Sequence, residues 1–352
     1  MPSMPRIFPT SIVCLFSSIV LLMLPLGGCS GARELKIAGR TMGTSYHVTI
    51  IVNPLQTAAD LQPLIEKRLA ELNQSMSTFQ PESEISRFNA LQAAGRAFAV
   101  SPDFYTVAKL GQRLYAITDG AWDGTIDPLV DLWGFGRSPR RETPPPESAI
   151  KERLTRVGFD QIDLDQPGNL IKRRSTVTLD LASVAKGYGV DALAQLIREQ
   201  GYTDYLVEIG GEVYAAGHRI DGTAWRVGIN QPEATAAPDQ IYQVVRLTNR
   251  AFATSGDYRN YFEFGGRRYA HIIDPRTGFP AARHLVSVSV LADTCALADG
   301  LATALMVMGP QAGLALIDRL EGIDCLMVER APDGRLIDHR SQGFPPRDNA
   351  AS

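Results

Sequence analysis

The chain has 352 residues, with 35 basic and 38 acidic side chains, a net charge of −3 at pH 7, and 45% hydrophobic residues. That length and apolar content suit one large domain or two closely joined lobes. The balance is mildly acidic and no Lys/Arg run stands out, which argues against a nucleic-acid binder.

Residues 1–28 carry one charge, Arg6, ahead of an apolar run at 12–26. Those 15 residues fall short of a bilayer span, which needs ~20, so the segment reads as a secretion signal. It ends Leu26-Gly27-Gly28-Cys29-Ser30, small residues before a cysteine, which a bacterial lipoprotein peptidase accepts. Lipid on Cys29 would supply several acyl chains, which hold a membrane far more firmly than one myristoyl group. The plain alternative is an ordinary secretion signal with a coincidental cysteine. The expected organisation is a lipoprotein signal peptide at 1–28, a lipid-anchored tether at 29–34, a folded domain at 35–340 and a tail at 341–352. The expected location is the periplasmic face of a bacterial membrane, with Ser30 favouring the outer one. Cys14 and Cys29 belong to the leader. Cys295 and Cys325 lie in apolar surroundings and are expected as buried thiols, with a bridge as the alternative in a compartment that permits it.

Past the leader, alternation at residues 43–52 predicts a strand, with Val48 and Ile50 on one face. From Asp60, a favourable N-cap, Leu61, Leu64, Ile65, Leu69, Leu72 and Met76 recur at helical spacing. Ser101-Pro102 opens a second helix. A third is expected over 187–200, closed by Gly201. Strands are expected at 204–209, 224–229, 240–248, 268–273 and 285–291. A fourth helix runs from Asp293 to Gly309-Pro310, and a short helix then leads to a strand at 323–328. Residues 136–148 read as a long exposed loop. Helices and strands are mixed rather than strictly alternating, so the expected class is α+β.

Four stretches are too rich in Gly, Asp and Thr for plain core. Thr41-Met42-Gly43-Thr44 carries a glycine that allows close backbone approach. The segment from Thr118 to Pro128 sets several Asp and Gly residues around Trp122; a pair of Asx turns with Trp122 as a core anchor explains it equally well. Asp180-Leu181-Ala182-Ser183-Val184-Ala185-Lys186-Gly187 lies at a strand-to-helix junction. A helix N-terminus with a lysine is a natural phosphate seat, although Lys186 could equally be a solvated helix residue. The fourth is Ala298-Asp299-Gly300-Leu301-Ala302-Thr303. Asp299 and Thr303 are four apart on one helix face, and a lone buried carboxylate needs a partner. A hard cation such as Mg²⁺ answers that need; an internal Asp–Thr hydrogen bond is the alternative. His271, beside Asp274-Pro275, and Asp257 are further candidates, whereas His47, His218, His284 and His339 read as structural. No CxxC, HExxH, Walker loop or nucleophile triad appears. An aromatic, a phosphate seat and a cation pair together indicate chemistry at a nucleotide diphosphate.

Taken in order, six segments resemble the ApbE family, the FAD:protein FMN transferases: TMGT at 41–44, TDGAWDGTIDPLVDLWGFG at 118–136, DLASVAKGY at 180–188, TSGDYRNYF at 254–262, HIIDPRTG at 271–278 and ADGLAT at 298–303. The likeness runs from about residue 35 to about residue 328. It implies an α+β, T-fold-related architecture of two closely packed lobes with the flavin nucleotide in the cleft. It further implies that Met42, Phe79, Ala121, Trp122, Asp123, Asp180, Lys186 and Ile273 contact FAD. Mg²⁺ would be held by Asp299, Thr303 and the backbone carbonyl of Ser183. Some members place a second carboxylate where this chain has Ala302, so the number of metal ligands is left open. Members are commonly periplasmic lipoproteins.

The implied reaction moves FMN from FAD to a threonine of a target protein and releases AMP. His271 is the first candidate for the base, followed by Asp257 and Asp274. The implied targets are membrane redox proteins such as subunits of the Na⁺-pumping quinone reductase or the Rnf complex. An FAD diphosphatase yielding FMN and AMP is the nearest alternative, and a non-catalytic flavin-binding lipoprotein is another.

Overall fold

Two strands open the fold, β1 (Arg33–Thr41) and β2 (Thr44–Val52), paired antiparallel through a two-residue turn at Met42 and Gly43. Both turn residues have positive φ, 48° and 75°, which matches the right-handed twist of a hairpin. Glycine adopts this freely, whereas Met42 is strained there.

The chain is described by a computed structural model covering residues 31–347, apart from 55, 57–59, 165–166, 234–235, 238–239, 258–259 and 282–283. By packing, the chain divides into Met1–Gly31 and Ala32–Ser352, and the second unit carries everything below. The expected signal peptide, Cys29 and Ser30 lie outside the described residues.

The hydrophobic spacing from Leu61 forms α1 (Leu61–Met76), which buries Leu61, Ile65, Leu69, Leu72 and Met76. Asp60 makes no capping bond, because its φ and ψ of −104° and 6° lie outside the extended region a cap adopts. After α2 (Glu84–Ala90) and β3 (Ala97–Ala99) comes α3 (Pro102–Ile117), where Ser101 Oγ accepts the Phe104 N–H at 3.3 Å. Two short helices follow, α4 (Asp127–Leu132) and α5 (Glu147–Leu154), joined by the expected irregular segment. Strand β5 (Asn169–Lys172) pairs with both β3 and β4 (Ile162–Asp163) in a small sheet.

Helix α6 (Ala182–Glu199) begins at Ala182 rather than at 187. Gly187 and Gly189 each disfavour a helix interior by about 1 kcal/mol relative to Ala, which hides the first turn from a reading of spacing. Tertiary packing overrides that preference.

The remaining strands are β6 (Tyr205–Ile209), β7 (Glu212–Ala216), β8 (Trp225–Asn230), β9 (Ile241–Leu247), β10 (Arg250–Gly256), β11 (Tyr261–Phe264), β12 (Arg267–Ala270) and β13 (Leu285–Ala292). They are followed by α7 (Cys295–Met308), α8 (Pro310–Ile317), β14 (Asp324–Arg330) and β15 (Leu336–Arg340). The strand expected at 268–273 stops at Ala270, and Ile273 makes only an isolated bridge to Pro280. Pro275 has no N–H, and Asp274 Oδ1 accepts the Arg276 N–H in a turn that ends the pairing.

Among the described residues one sheet has eight strands in the order β1-β2-β6-β7-β10-β13-β14-β15, with every neighbouring pair antiparallel. Val190, Leu193 and Ile197 of α6 pack on Ile37, Val48 and Ile50, and Leu301 and Leu305 of α7 share a core with Val288 and Val290. The β8–β9 hairpin covers the other face through Trp225, Tyr242 and Val245. A smaller lobe gathers α4, α5, β11 and β12 around Trp133. Cys295 and Cys325 are buried and unbridged. Phe344 is buried, so the packed unit continues past residue 340. No helix among the described residues is long and apolar enough to cross a membrane.

Helices α6 and α7 cross at backbone contact: a Cβ on Gly187 would collide with the Cys295 carbonyl, and one on Gly300 with Leu114 and Val184. On helix propensity alone, Gly187→Ala would stabilise the protein by about 1 kcal/mol. Because of the collision it should instead lose about 1–3 kcal/mol in urea unfolding. Unchanged or increased stability would contradict the close crossing.

Candidate functional site

The crossing fixes the site. Asp180 Oδ1 accepts the Ala182 N–H at 2.8 Å and so starts α6. The first turns of α6 therefore carry Ser183 and Lys186, and of its opening N–H groups those of Ala182, Val184 and Ala185 already bond to Asp180 and Leu181. Helix α7 is capped from α6 rather than from its own sequence. The two oxygens of Asp191 accept the Cys295 and Ala296 N–H groups at 2.7 and 2.9 Å. Twelve of the fourteen residues of α7 are buried, so Asp299 is a carboxylate in a helix that is apolar almost all round.

Asp299 is 3% exposed, and its Oδ2 accepts the Gly187 N–H at 3.1 Å. That N–H is also the helical donor to the Ser183 carbonyl, so Asp299 competes for it and leaves Ser183 with acceptor capacity. Lys186 Nζ lies 3.7 Å from the same Asp299 oxygen and 2.8 Å from Glu212 Oε1. Glu212 is also 3% exposed, and its Oε2 is buried with no hydrogen-bond partner. Burial, then the Asp299 charge, pushes the Glu212 carboxyl up to about 8 against the pull of Lys186. Burial raises Asp299 as well. Burial alone would lower Lys186, but Asp299 and Glu212 outweigh it and hold the ammonium above its usual range.

Two buried carboxyl groups share one ammonium, and ionising both would leave a negative charge unbalanced in a poorly solvated place, which is why both are raised. A divalent cation bound there would let both ionise. Among the described residues no group of three or more His, Cys, Asp or Glu could hold a metal. The donors are a carboxylate, the Thr303 hydroxyl and a carbonyl, which fits Mg²⁺, an ion that keeps waters and takes substrate phosphates as ligands. Thr303 Oγ1 pairs with Ser255 Oγ at 3.2 Å rather than with Asp299.

These groups line a cavity of about 450 Å³ that also takes in Ala121, Trp122, Asp123, Asp180, His271 and Ile273. Trp122 is 2% exposed and donates from Nε1 to Ser183 Oγ at 3.0 Å. Asp123 Oδ1 accepts from the Thr125 N–H and hydroxyl at 2.8 and 2.6 Å, and burial raises its carboxyl to about 6. The Asx-turn and core-anchor readings thus describe residues that also line the cavity.

A second cavity of about 510 Å³ holds Met42 and Phe79 and shares Asp180, Ala182 and Lys186 with the first. Phe79 is 82% exposed, unusual for an apolar ring and suited to stacking on a flat ligand. The Met42 methyl reaches the space that Gly189 leaves free.

Asp257 and Asp274 do not line either cavity. Asp257 faces a separate one with Arg268 and Arg330, and Asp274 is tied to Arg276 by two bonds of 2.9 and 2.8 Å. His271 Nδ1 lies 3.3 Å from the Asn260 carbonyl. A carbonyl only accepts, so Nδ1 carries the proton and Nε2 keeps its lone pair. Sequence reading missed Glu212 and Asp191. The Gly210-Gly211 pair between two apolar alternating runs was the available hairpin signal for Glu212.

Fold and site define an α+β protein whose cleft gathers buried carboxyl groups, a lysine and a helix N-terminus. The chain belongs to the ApbE family, whose model matches residues 42–327. It is 41% identical over 327 residues to the FAD:protein FMN transferase of Vibrio cholerae, covering 92% of this chain and 96% of the relative. It is 40% identical over 313 residues to that of Haemophilus influenzae, covering 87% and 90%. The solved flavin transferase ApbE from Vibrio cholerae superposes with a TM-score of 0.81 at 38% identity, covering 90% of this chain and 99% of that one.

Burial lowers His271 from its ordinary value of 6.5, opposed by the Asn260 bond. The folded protein therefore binds this proton less tightly than the unfolded chain does. The resulting destabilisation is absent at high pH, appears as pH falls through 6.5 and is complete below the folded value. An NMR titration of the His271 ring should show a midpoint below 6.5; a midpoint at or above it would contradict this environment.

Proposed function

We propose that this chain is a Mg²⁺-dependent FAD:protein FMN transferase, lipid-anchored through Cys29 on the periplasmic side of a bacterial membrane. The observation that carries the reading is the pair of cavities joined at Lys186, with two buried carboxylates and one ammonium at the junction. The substrate is FAD, and Met42, Phe79, Ala121, Trp122, Asp123, Asp180, Lys186 and Ile273 are its contacts.

In the reaction the threonine oxygen of the target forms a bond to the FMN phosphorus. The bridging P–O bond breaks, and AMP leaves with the electron pair. His271 Nε2 takes the threonine proton. Lys186 and the Ser183 N–H at the start of α6 hold the diphosphate and stabilise charge as it builds. Asp299, Thr303 and the Ser183 carbonyl would hold Mg²⁺, which would supply charge neutralisation at the phosphates. FAD carries its own diphosphate bond, so the transfer needs no ATP in the periplasm. The targets proposed are membrane redox proteins carrying a flavinylation threonine, of the Na⁺-pumping quinone reductase or Rnf type, and an anchor keeps the enzyme beside them.

Incubation with FAD, Mg²⁺ and such a target should give one band with in-gel flavin fluorescence and one AMP per modified threonine. AMP and FMN without fluorescent target would mark a diphosphatase instead. His271→Ala should keep FAD affinity but slow transfer by about 10²–10⁴-fold, and transfer at the wild-type rate would remove the base assignment. Intact mass of the membrane form should show acyl chains on Cys29, and an unmodified Cys29 would remove the anchor.

A further inference from the structure

Glu212 lines the cavity, yet no step of the proposed transfer uses it. Its position is enforced: Gly210 and Gly211 turn with φ of 63° and 107° and place Glu212 opposite Ile209 at the start of β7. The Gly210 backbone lies against the Lys186 stem, since a Cβ there would sit 3.3 Å from Lys186 Cδ. A carboxylate buried this deeply is unfavourable unless its charge is needed.

Lys186 Nζ stands 2.8 Å from Glu212 and 3.7 Å from Asp299, so Glu212 is its nearer partner. A cation at Asp299 would repel that ammonium. With Glu212 absent, the lysine's remaining carboxylate is Asp299 itself, in competition with the cation. With Glu212 present, the charges sort into two pairs, lysine with Glu212 and cation with Asp299.

We propose that Glu212 is a positioning residue that holds the Lys186 ammonium off Asp299, so that a divalent cation and the lysine occupy the cavity together. The inference rests on the cation site proposed above. It predicts an uncommon pattern, in which loss of one charge is repaired by loss of its partner.

The test titrates Mn²⁺ into the full chain with saturating FAD and no target protein, reading free Mn²⁺ by EPR. Glu212→Gln should weaken Mn²⁺ binding by about 10- to 100-fold. Lys186→Met should bind Mn²⁺ at least as well as the wild type, and the double variant should match Lys186→Met. Wild-type affinity in Glu212→Gln overturns the proposal. A double variant as weak as Glu212→Gln also overturns it, because Glu212 would then be a direct ligand. Wild-type protein that fails to bind Mn²⁺ removes the cation site, and this inference with it. If the Gln variant does not fold, Glu212→Asp replaces it, since its shorter side chain cannot keep the 2.8 Å contact; unchanged Mn²⁺ affinity there overturns the proposal equally.

Discussion

Backbone contact between α6 and α7 at Gly187 and Cys295 is the constraint on which the rest of the site depends. At the distance that ordinary side chains impose, Ser183 and Lys186 would not reach Asp299. Two features hold the contact: Gly187 and Gly300 remove the steric barrier, and Asp191 reaches from α6 to cap α7 at Cys295 and Ala296. The same Gly187 N–H then binds Asp299 at 3.1 Å. Helix packing, capping and site geometry are thus one arrangement, and a change to any of them moves the others.

The crossing also concentrates charge. Asp299, Glu212 and Lys186 sit where hydration is poor, and the raised carboxyls of Glu212 and Asp299 register the imbalance. Such a cluster is a weak source of stability on its own. Under the proposed function a cation and a diphosphate would complete it, which would tie ligand binding to the stability of the cleft. The exposed Phe79 ring at the adjoining cavity fits the same proposal, since a flat ligand there would cover it.

Much of this was legible in the sequence. The spacing of α1 gave its inward face except for Leu64, which is exposed, the apolar setting of Cys295 and Cys325 foretold free buried thiols, and the Gly/Asp/Thr-rich segments converge on adjoining cavities. What failed was long-range. The first turn of α6 is hidden by glycines whose role exists only against α7, and the α7 cap lies 104 residues away in sequence. Glu212 lies in a strand, β7, that falls between the expected ones, and only a Gly-Gly hairpin and a lysine on another element give it a setting. Asp60 has the right residue type for a cap and the wrong backbone. Asp274 sits beside the right histidine but is tied to Arg276.

The central claim is that a cation is held between the two crossing helices at a bound diphosphate. Anomalous diffraction at the manganese edge, from crystals grown with FAD and Mn²⁺, tests it most directly. The account predicts a peak bounded by Asp299, Thr303 and the Ser183 carbonyl, with flavin-diphosphate density beside Lys186. Ordered FAD with no peak there, or a peak elsewhere in the molecule, would contradict it.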